Sequence, residues 1–314
     1  MTGKKILAVF GATGKQGGSL ANYVLSDPEL SAAYSVRAIT RDVTSSKSQD
    51  LKQKGAEVVA GDISDTASLK PAFTGVHTVF IMTAPAWGPD AVEIEYSQAK
   101  NAADLAVEQG VEYIIFSTLP HVSKISGGKY VKVTPFDAKA KAEQYIRSLP
   151  VKSAFYCPGS FMENFHTPGF ILHRDAADGT HIISRHNSPT SKFPLIAAVD
   201  DTGKFVGAIL ADPDKYAGKT LCAAQALYSW EEIAAVYSKV TGRKTVYEQG
   251  SVEEYRASLP EIVADVFVEG FSYYDDFGYY GPTTEESVKW AAAQARGKLT
   301  TLEEYFEQHP EPLA

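Results

Sequence analysis

The sequence predicts an α/β fold in which a doubly wound parallel sheet is followed by a smaller, mainly helical C-terminal lobe. Apolar runs alternate with amphipathic stretches through the first half of the chain, as is typical of βαβ units. The first apolar run also leads directly into a glycine-rich turn that begins a helix. The length of 314 residues is sufficient for one large domain or for a large domain with a smaller lobe.

The alternation predicts the individual elements of the sheet. Strands are predicted at residues 6–10, 35–40, 57–60, 78–82, 113–117 and 153–156, and helices at residues 16–26, 45–54, 67–73, 91–109 and 137–148. The fourth and fifth strands are almost wholly apolar, which indicates burial on both faces.

The pattern changes after Pro158, where aromatic residues, prolines and short elements dominate. Helices are predicted there at residues 200–210, 229–241, 252–258, 260–267 and 285–296. We therefore divide the chain into a sheet domain, residues 1–157, and a smaller lobe for substrate or partner, residues 158–314, and allow segments of the lobe to return to the sheet.

Composition restricts the classes of function. The net charge of −8 and the pI of about 5.4 argue against direct nucleic-acid binding, which needs a basic surface. Cys157 and Cys222 lie far apart in sequence and predict neither a disulfide framework nor a zinc site, and the spacing of His121, His166 and His173 does not suggest metal ligands.

The first apolar run is short and ends in the glycine turn, so we interpret it as a strand and not as a signal peptide. No stretch of the sequence approaches the ~20 apolar residues of a membrane span. The expected location is the cytoplasm, or the cytoplasm and the nucleus.

The glycine-rich turn has the spacing G-x-x-G-x-x-G and consists of Gly11, Ala12, Thr13, Gly14, Lys15, Gln16 and Gly17. Free backbone N–H groups at the start of the following helix can bind a pyrophosphate when no side chain obstructs them. Between a predicted strand and a predicted helix, the motif indicates a Rossmann domain that binds a nicotinamide dinucleotide. A tight strand-to-helix turn without a ligand is the alternative.

The end of the second strand bears on the choice of dinucleotide. Arg41 stands where a guanidinium group could bind the 2′-phosphate of NADP(H), so we favour that cofactor over NAD. Asp42 would favour NAD if it occupied the same place, and Arg41 could instead be a solvated loop residue. Arg37 lies inside the strand and is interpreted as a residue of the sheet face.

Two further segments follow strands and complete the predicted cofactor site. Asp62 and Ile63 follow the third strand, where we expect them at the adenine edge. Thr83, Ala84 and Pro85 follow the fourth strand, where we expect them beneath the nicotinamide ribose.

The catalytic residues of short-chain reductases are only partly present. These enzymes use a serine, a tyrosine and a lysine, with the tyrosine four residues before the lysine. Ser117 and Lys139 match the serine and the lysine, but Pro135 stands at the tyrosine position, and Tyr130 has the wrong spacing. The usual mechanism is therefore not predicted unless another segment supplies the acid. Lys139 is the catalytic candidate, with a surface lysine as the alternative.

The chain resembles the NmrA-like family of atypical short-chain dehydrogenases. The matching segments are residues 9–18, 40–41, 55–62, 135–139, 157–165 and 199–203. The resemblance implies NADP(H) binding by the glycine turn, Arg41, Asp62, Ile63, the Thr83 segment and Lys139, together with a loop formed by Phe161, Met162, Glu163 and Asn164.

The resemblance leaves two functions open. Family members are often catalytically silent sensors of the NAD(P) redox ratio that bind transcription factors or signalling enzymes, and the missing tyrosine agrees with that role. Residues 135–143 also resemble isoflavone-reductase-type enzymes, which are active through the lysine equivalent to Lys139. From sequence we favour a redox-sensing regulator with a protein partner over an NADPH-dependent reductase of a small carbonyl, enone or aromatic metabolite.

Two aromatic features bear on the substrate or the partner. Trp87 is expected to cover the nicotinamide side of the cleft or to pack on its own loop. Residues 271–280 contain six aromatic side chains, which we interpret as core, with a cleft lid or a docking surface as the alternative. The sequence indicates no oligomeric state.

Overall fold

Thirteen strands and fourteen helices form the part of the chain that the computed structural model describes, residues 3–313. The strands are β1 (Lys5–Val9), β2 (Tyr34–Thr40), β3 (Glu57–Ala60), β4 (Val76–Ile81), β5 (Tyr113–Ser117), β6 (Lys152–Pro158), β7 (Ser160–Phe161), β8 (Leu172–Asp175), β9 (His181–Arg185), β10 (Lys192–Ile196), β11 (Thr220–Ala223), β12 (Ala226–Ser229) and β13 (Thr245–Gln249).

The helices alternate with the strands in the first half and cluster near the end of the chain. They are α1 (Lys15–Ser26), α2 (Pro28–Ala33), α3 (Ser46–Gln53), α4 (Thr66–Phe73), α5 (Ala91–Glu108), α6 (Val122–Ile125), α7 (Thr134–Arg147), α8 (Ala198–Ala211), α9 (Pro213–Tyr216), α10 (Trp230–Thr241), α11 (Val252–Ala257), α12 (Glu261–Phe277), α13 (Thr284–Ala292) and α14 (Leu302–Gln308). A 3₁₀ helix spans Met162–His166.

The main sheet contains seven parallel strands in the order β11-β6-β5-β4-β1-β2-β3. The strand order reverses between β1 and β4, and ligands of such sheets bind in the crevice at the carboxyl ends of these two strands. The prediction of a doubly wound parallel sheet is confirmed, and all six strands predicted before residue 158 are present.

Apolar side chains cover both faces of the sheet. On one face Leu20 of α1 and Phe205 of α8 lie in a single buried cluster with the strands. On the other face Phe73 of α4, Ala102 of α5 and Ile146 of α7 lie in a second cluster. Burial on both faces explains why the central strands are apolar throughout.

Strands are more numerous in the second half of the chain than the sequence pattern indicates. β11 returns to the main sheet and pairs with β6, as the prediction allowed. Two three-stranded sheets, β12-β10-β7 and β13-β9-β8, lie among the helices of the lobe. Their strands have two to five residues, too few for a clear alternating pattern.

A buried arginine lies at the centre of the lobe. Arg185 is fully buried, and its guanidinium lies 3.5 Å from the ring centre of Phe271 and 4.4 Å from that of Phe170. One of its nitrogens donates to the Tyr255 hydroxyl at 2.8 Å. Cation–π contacts with these rings thus stabilise the buried guanidinium in the way that a carboxylate usually would. Burial lowers the pKa of Arg185 to about 10.

Helices α1 and α8 approach closely because α8 presents glycine at the contact. A Cβ atom on Gly203 would lie 2.8 Å from the carbonyl oxygen of Ser19 and closer still to the side chain of Tyr23. The Gly203 N–H donates to the Ser19 hydroxyl at 3.0 Å. The contact anchors α1, the helix that follows the glycine-rich turn.

We predict that Gly203→Ala destabilises the protein although alanine is the better helix former. The clash with α1 should outweigh the gain in helix propensity and lower the free energy of unfolding by about 1–2 kcal/mol. Gly270→Ala in α12 is the matched control, because its Cβ would meet only Val133, at an ordinary 3.6 Å. Urea denaturation of both variants checks this, and equal midpoints would contradict it.

Candidate active site

Two cavities meet at the carboxyl edge of the main sheet and share Met82 and Ala84. The sheet-edge cavity has a volume of about 530 Å³ and lies at the ends of β1, β2 and β3. The central cleft has a volume of about 400 Å³ and lies between the sheet and the lobe. Together they form a continuous groove along the predicted path of a dinucleotide.

The glycine-rich turn forms the junction between strand and helix. Gly11 has a φ of +59°, and a Cβ atom there would lie 2.8 Å from the sulfur of Met82. A Cβ atom on Gly17 would lie closer than 3.0 Å to the carbonyl oxygens of Phe10 and Gly11. Only glycine therefore permits this turn, and it brings the start of α1 to the sheet edge.

The first N–H groups of α1 are open to a ligand. The N-cap residue is Gly14, and no side chain caps the helix. Gly11, Thr13 and Gly14 line the sheet-edge cavity, whereas Ala12 and Lys15 line a neighbouring groove and Gly17 is buried. The turn thus combines unobstructed donors with the positive end of a helix dipole.

The charged residues at the end of β2 have distinct surroundings. Arg41 and Lys47 both line the sheet-edge cavity. Asp42 also borders it, but its carboxylate accepts hydrogen bonds from the Thr44 N–H at 2.8 Å and the Thr44 hydroxyl at 2.6 Å, which lower the pKa of Asp42. Asp42 therefore stabilises its own turn and is less available to a ribose. Lys47 was not predicted, because the sequence does not distinguish it from Lys52, the other lysine of α3.

Asp62 and Ile63 also line the sheet-edge cavity, just after β3, which pairs with β2. The Asp62 carboxylate accepts from the Ser64 hydroxyl at 2.6 Å and the Ser64 N–H at 2.9 Å, and these bonds lower the pKa of Asp62. Arg37 lies apart from the groove and pairs with Glu57 at 2.8 Å, in agreement with its interpretation as a residue of the sheet face.

A buried ion pair lies beside the central cleft. The Lys139 ammonium group donates to the carboxylate of Glu95 on α5, and the Thr83 hydroxyl donates to the same oxygen at 2.6 Å. All three side chains are buried, and Lys139 and Thr83 line the cleft. Burial lowers the pKa of Lys139, and the negative charge of Glu95 opposes that effect. Lys139 is therefore a cleft residue and not a surface lysine.

Sequence reasoning did not single out Glu95. It lies on α5 two residues after Glu93, and the local sequence does not distinguish the two carboxylates. Glu93 pairs instead with the more exposed Lys141, at 2.6 Å. The second oxygen of the Glu95 carboxylate is buried without a hydrogen-bond partner among the described residues.

The predicted serine also lies in the cleft. The Ser117 hydroxyl donates to the Gln16 side-chain carbonyl at 2.7 Å, which joins the end of β5 to the glycine-rich turn. Pro135 lines the cleft without a proton to donate. Tyr130 instead donates its hydroxyl to Asp276 at 2.5 Å.

Aromatic side chains make up much of the cleft wall. Eight of them line it, namely Trp87, Phe136, Phe161, Phe170, Phe267, Phe271, Tyr274 and Tyr279. Three members of the aromatic run at residues 271–280 thus line the cleft, while Tyr273 and Tyr280 are buried beside it. Pro85 and the part-exposed Trp87 lie at the cleft margin.

The four residues from Phe161 to Asn164 separate into two groups. Phe161 and Asn164 line the cleft. Met162 is fully buried in the lobe core, and Glu163 accepts the N–H groups of Ala198 and Val199 at 3.1 and 2.8 Å. The side chains of Met162 and Glu163 thus anchor this loop and the start of α8 and do not face the groove.

Fold and groove define a Rossmann-type protein with a second lobe over the sheet edge. Residues 3–306 match the model of the NmrA-like family, and the chain belongs to that family. Among its relatives is FrzB of a Cladobotryum species, named an NmrA-like family domain-containing oxidoreductase, with 30% identity over 93% of each chain. A relative named in the same way, hkm9 of Aspergillus hancockii, is 28% identical over 97% of each chain.

Two solved structures share the fold. NmrA, described as a negative transcriptional regulator in complex with NADP, has a TM-score of 0.80 at 22% identity and covers 97% of this chain and 95% of its own. Triphenylmethane reductase of a Citrobacter species, complexed with NADP(H), has a TM-score of 0.74 at 21% identity, with coverage of 97% and 99%.

Residues 3–313 contain neither a candidate membrane-spanning helix nor a candidate metal centre. None of the helices there combines the length and the apolar character needed to cross a bilayer. The same residues contain no group of three or more histidine, cysteine or acidic side chains arranged to hold a metal ion.

We predict that Glu95→Gln lowers the pKa of Lys139 further. The substitution removes the negative charge of Glu95, the larger of the two effects that raise this pKa, and leaves the desolvation that lowers it. The uncharged amine should then react with a small amine-directed reagent at a lower pH than in the unmodified protein, as followed by mass spectrometry of the Lys139 peptide.

Glu93→Gln is the matched control for this experiment. It removes the same charge from the same helix, but from an exposed ion pair. The pH dependence of Lys139 labelling should therefore stay as in the unmodified protein. Identical pH profiles for Lys139 in both variants would show that Glu95 does not control its proton.

Proposed function

We propose that this protein is an NADP(H)-dependent oxidoreductase that acts on a small, largely apolar substrate with aromatic character. The observation that carries the proposal is a buried lysine in the wall of an open, aromatic-lined cleft directly beside the glycine-rich turn. The cleft of about 400 Å³ would hold the nicotinamide along Thr83–Pro85, and its aromatic wall offers a surface for a second ring, which a protein that only senses a dinucleotide does not need. The cleft thus favours the reductase over the regulator that the sequence alone favoured.

The groove fits a dinucleotide at its centre. The uncapped start of α1 offers backbone N–H donors for a pyrophosphate. Because Gly11 and Gly14 have no Cβ, no side chain at these positions obstructs the approach of the pyrophosphate to the donors. Thr83, Ala84 and Pro85 would lie along the nicotinamide half, and Asp62 and Ile63 along the adenine half.

Charge supports NADP(H) over NAD(H). Arg41 and Lys47 would hold the 2′-phosphate, since they are the cationic side chains that line the sheet-edge cavity. The carboxylate of Asp42 is held by Thr44 and does not take the place of a ribose-binding acid.

The chemistry follows from the residues around the cleft. When bound, NADPH supplies a hydride to an electrophilic carbon. Lys139 would donate the proton that the substrate oxygen needs, which replaces the missing tyrosine. Glu95 and Thr83 orient the lysine side chain, and the aromatic wall excludes water and holds the ring of the substrate.

A second candidate is a redox-sensing regulator that acts through a protein partner such as a transcription factor. Pro135 in the tyrosine position and the closed Lys139–Glu95 pair support it. This candidate requires NADPH and NADP⁺ to differ in affinity or in the loop conformation that they stabilise, because a ligand with no differential affinity shifts no equilibrium. Equal affinities with unchanged loops would exclude it.

We predict that Arg41→Ala weakens NADPH binding by roughly 10- to 100-fold, because it removes charge-assisted hydrogen bonds to the 2′-phosphate. The affinity for NADH should change little, since that cofactor lacks the phosphate. Fluorescence titration measures both constants.

Lys52→Ala controls for the change in net charge. Lys52 is an exposed residue of α3 that is not among the residues lining the groove, so this variant should bind NADPH as the unmodified protein does. An equal loss for NADPH and NADH in Arg41→Ala would contradict the assignment of the phosphate site.

We predict that the purified protein oxidises NADPH with at least one member of a panel of aromatic aldehydes, ketones, enones and quinones. Lys139→Ala should lower the rate by roughly 10²- to 10⁴-fold, as expected for loss of a general acid, with NADPH binding retained. Lys141→Ala, two residues further along α7, is the control and should keep full activity. No turnover across the panel would favour the regulator.

A further inference from the structure

The two cysteines of the chain lie side by side, although 64 residues separate them in sequence. Cys157 on β6 and Cys222 on β11 are direct partners in the parallel ladder, so their side chains project from the same face of the sheet. Neighbouring strands are about 4.8 Å apart, which lies within the range of about 4.4–6.8 Å between Cα atoms that a disulfide bridges. Both thiols are free.

Both thiols also reach a cavity that the proposed reaction does not use. This dithiol pocket has a volume of about 270 Å³ and shares Leu119 with the central cleft. Its wall includes Cys157, Cys222, His121, Lys124 and Glu143. Cys222 is half-buried, whereas Cys157 is only 3% exposed. A small solute can therefore reach Cys222 first.

We propose that Cys157 and Cys222 form a redox-active dithiol that hydrogen peroxide oxidises to an intramolecular disulfide. The Cys222 sulfur attacks one peroxide oxygen, so that an S–O bond forms, the O–O bond breaks and water leaves. The Cys157 sulfur then attacks the resulting sulfenic acid, so that an S–S bond forms, the S–O bond breaks and a second water leaves. Two electrons pass from the sulfurs to the peroxide, and both thiol protons leave in water.

The surroundings assign different roles to the two sulfurs. Exposure sets the order of attack, because a solute in the dithiol pocket meets the half-buried Cys222 before it meets the buried Cys157. Burial raises the pKa of the Cys157 thiol, which disfavours its attack on free peroxide, whereas its place opposite Cys222 in the ladder favours the second, intramolecular step through proximity.

The disulfide would restrain the strands that support the aromatic wall of the central cleft. β11 is the edge strand of the main sheet, and the bridge would tie it covalently to β6. The Tyr280 hydroxyl donates to the Cys157 carbonyl at 3.0 Å, and its ring lies 4.8 Å from that of Tyr279, which lines the central cleft. Oxidation therefore acts on the anchor of this aromatic wall.

The test is peptide mapping of the full chain after treatment with hydrogen peroxide. The reduced protein is exposed to the peroxide, remaining thiols are alkylated, and the digest is analysed without reduction. We expect the Cys157 and Cys222 peptides to be joined within one chain, and the link to disappear with dithiothreitol. The yield should exceed that of the urea-unfolded chain by at least about tenfold, because the fold brings the sulfurs together.

Variants separate the two steps. Cys222→Ser should leave Cys157 reduced, and Cys157→Ser should leave a sulfenic acid on Cys222 that dimedone traps. The map of the unmodified chain needs no variant, so the test stands even if a substitution impairs folding. Two thiols that stay reduced, oxidation of Cys222 without a link to Cys157, or links only between chains would each overturn the proposal.

Discussion

The close approach of α1 to the end of β1 is the constraint on which the rest of the structure depends. Carbonyl oxygens of Phe10 and Gly11 occupy the space that a Cβ on Gly17 would need, and Gly203 allows α8 to hold the same helix from its other side. The glycines thus fix where the uncapped start of α1 lies, at the crevice where the strand order reverses. The sheet-edge cavity and the central cleft open on either side of this point.

A second constraint is the buried charge at the cleft. An ammonium group as buried as that of Lys139 requires a partner, and Glu95 supplies it from the neighbouring helix α5. The pair keeps an ionisable group in a cleft wall rich in aromatic side chains, where desolvation and the carboxylate act in opposite directions on the pKa of Lys139. In the proposed reaction this balance would let Lys139 donate the proton that a tyrosine donates in short-chain reductases.

Sequence reasoning was most accurate where the determining interactions are local. The first strand, the glycine-rich turn and α1 follow one another without interruption, and the observed strand and helix begin within one residue of their predicted starts. Sequence reasoning was least accurate where the determining interactions join residues that are distant in sequence. The short strands of the lobe depend on partners distant in sequence, the burial of Glu95 depends on Lys139 on another helix, and the neighbouring thiols depend on the register between β6 and β11. The side-chain positions of Met162 and Glu163 likewise depend on the lobe core and on α8.

Hydrogen exchange of the full chain with and without NADPH tests most directly whether the start of α1 and the end of β2 hold the cofactor. We expect slower exchange at residues 11–18, whose amides would face the pyrophosphate, and at residues 41–47, which would surround the 2′-phosphate. NADH should slow exchange in the first segment more than in the second. Unchanged exchange in both segments at a saturating concentration of NADPH would show that neither segment holds the cofactor.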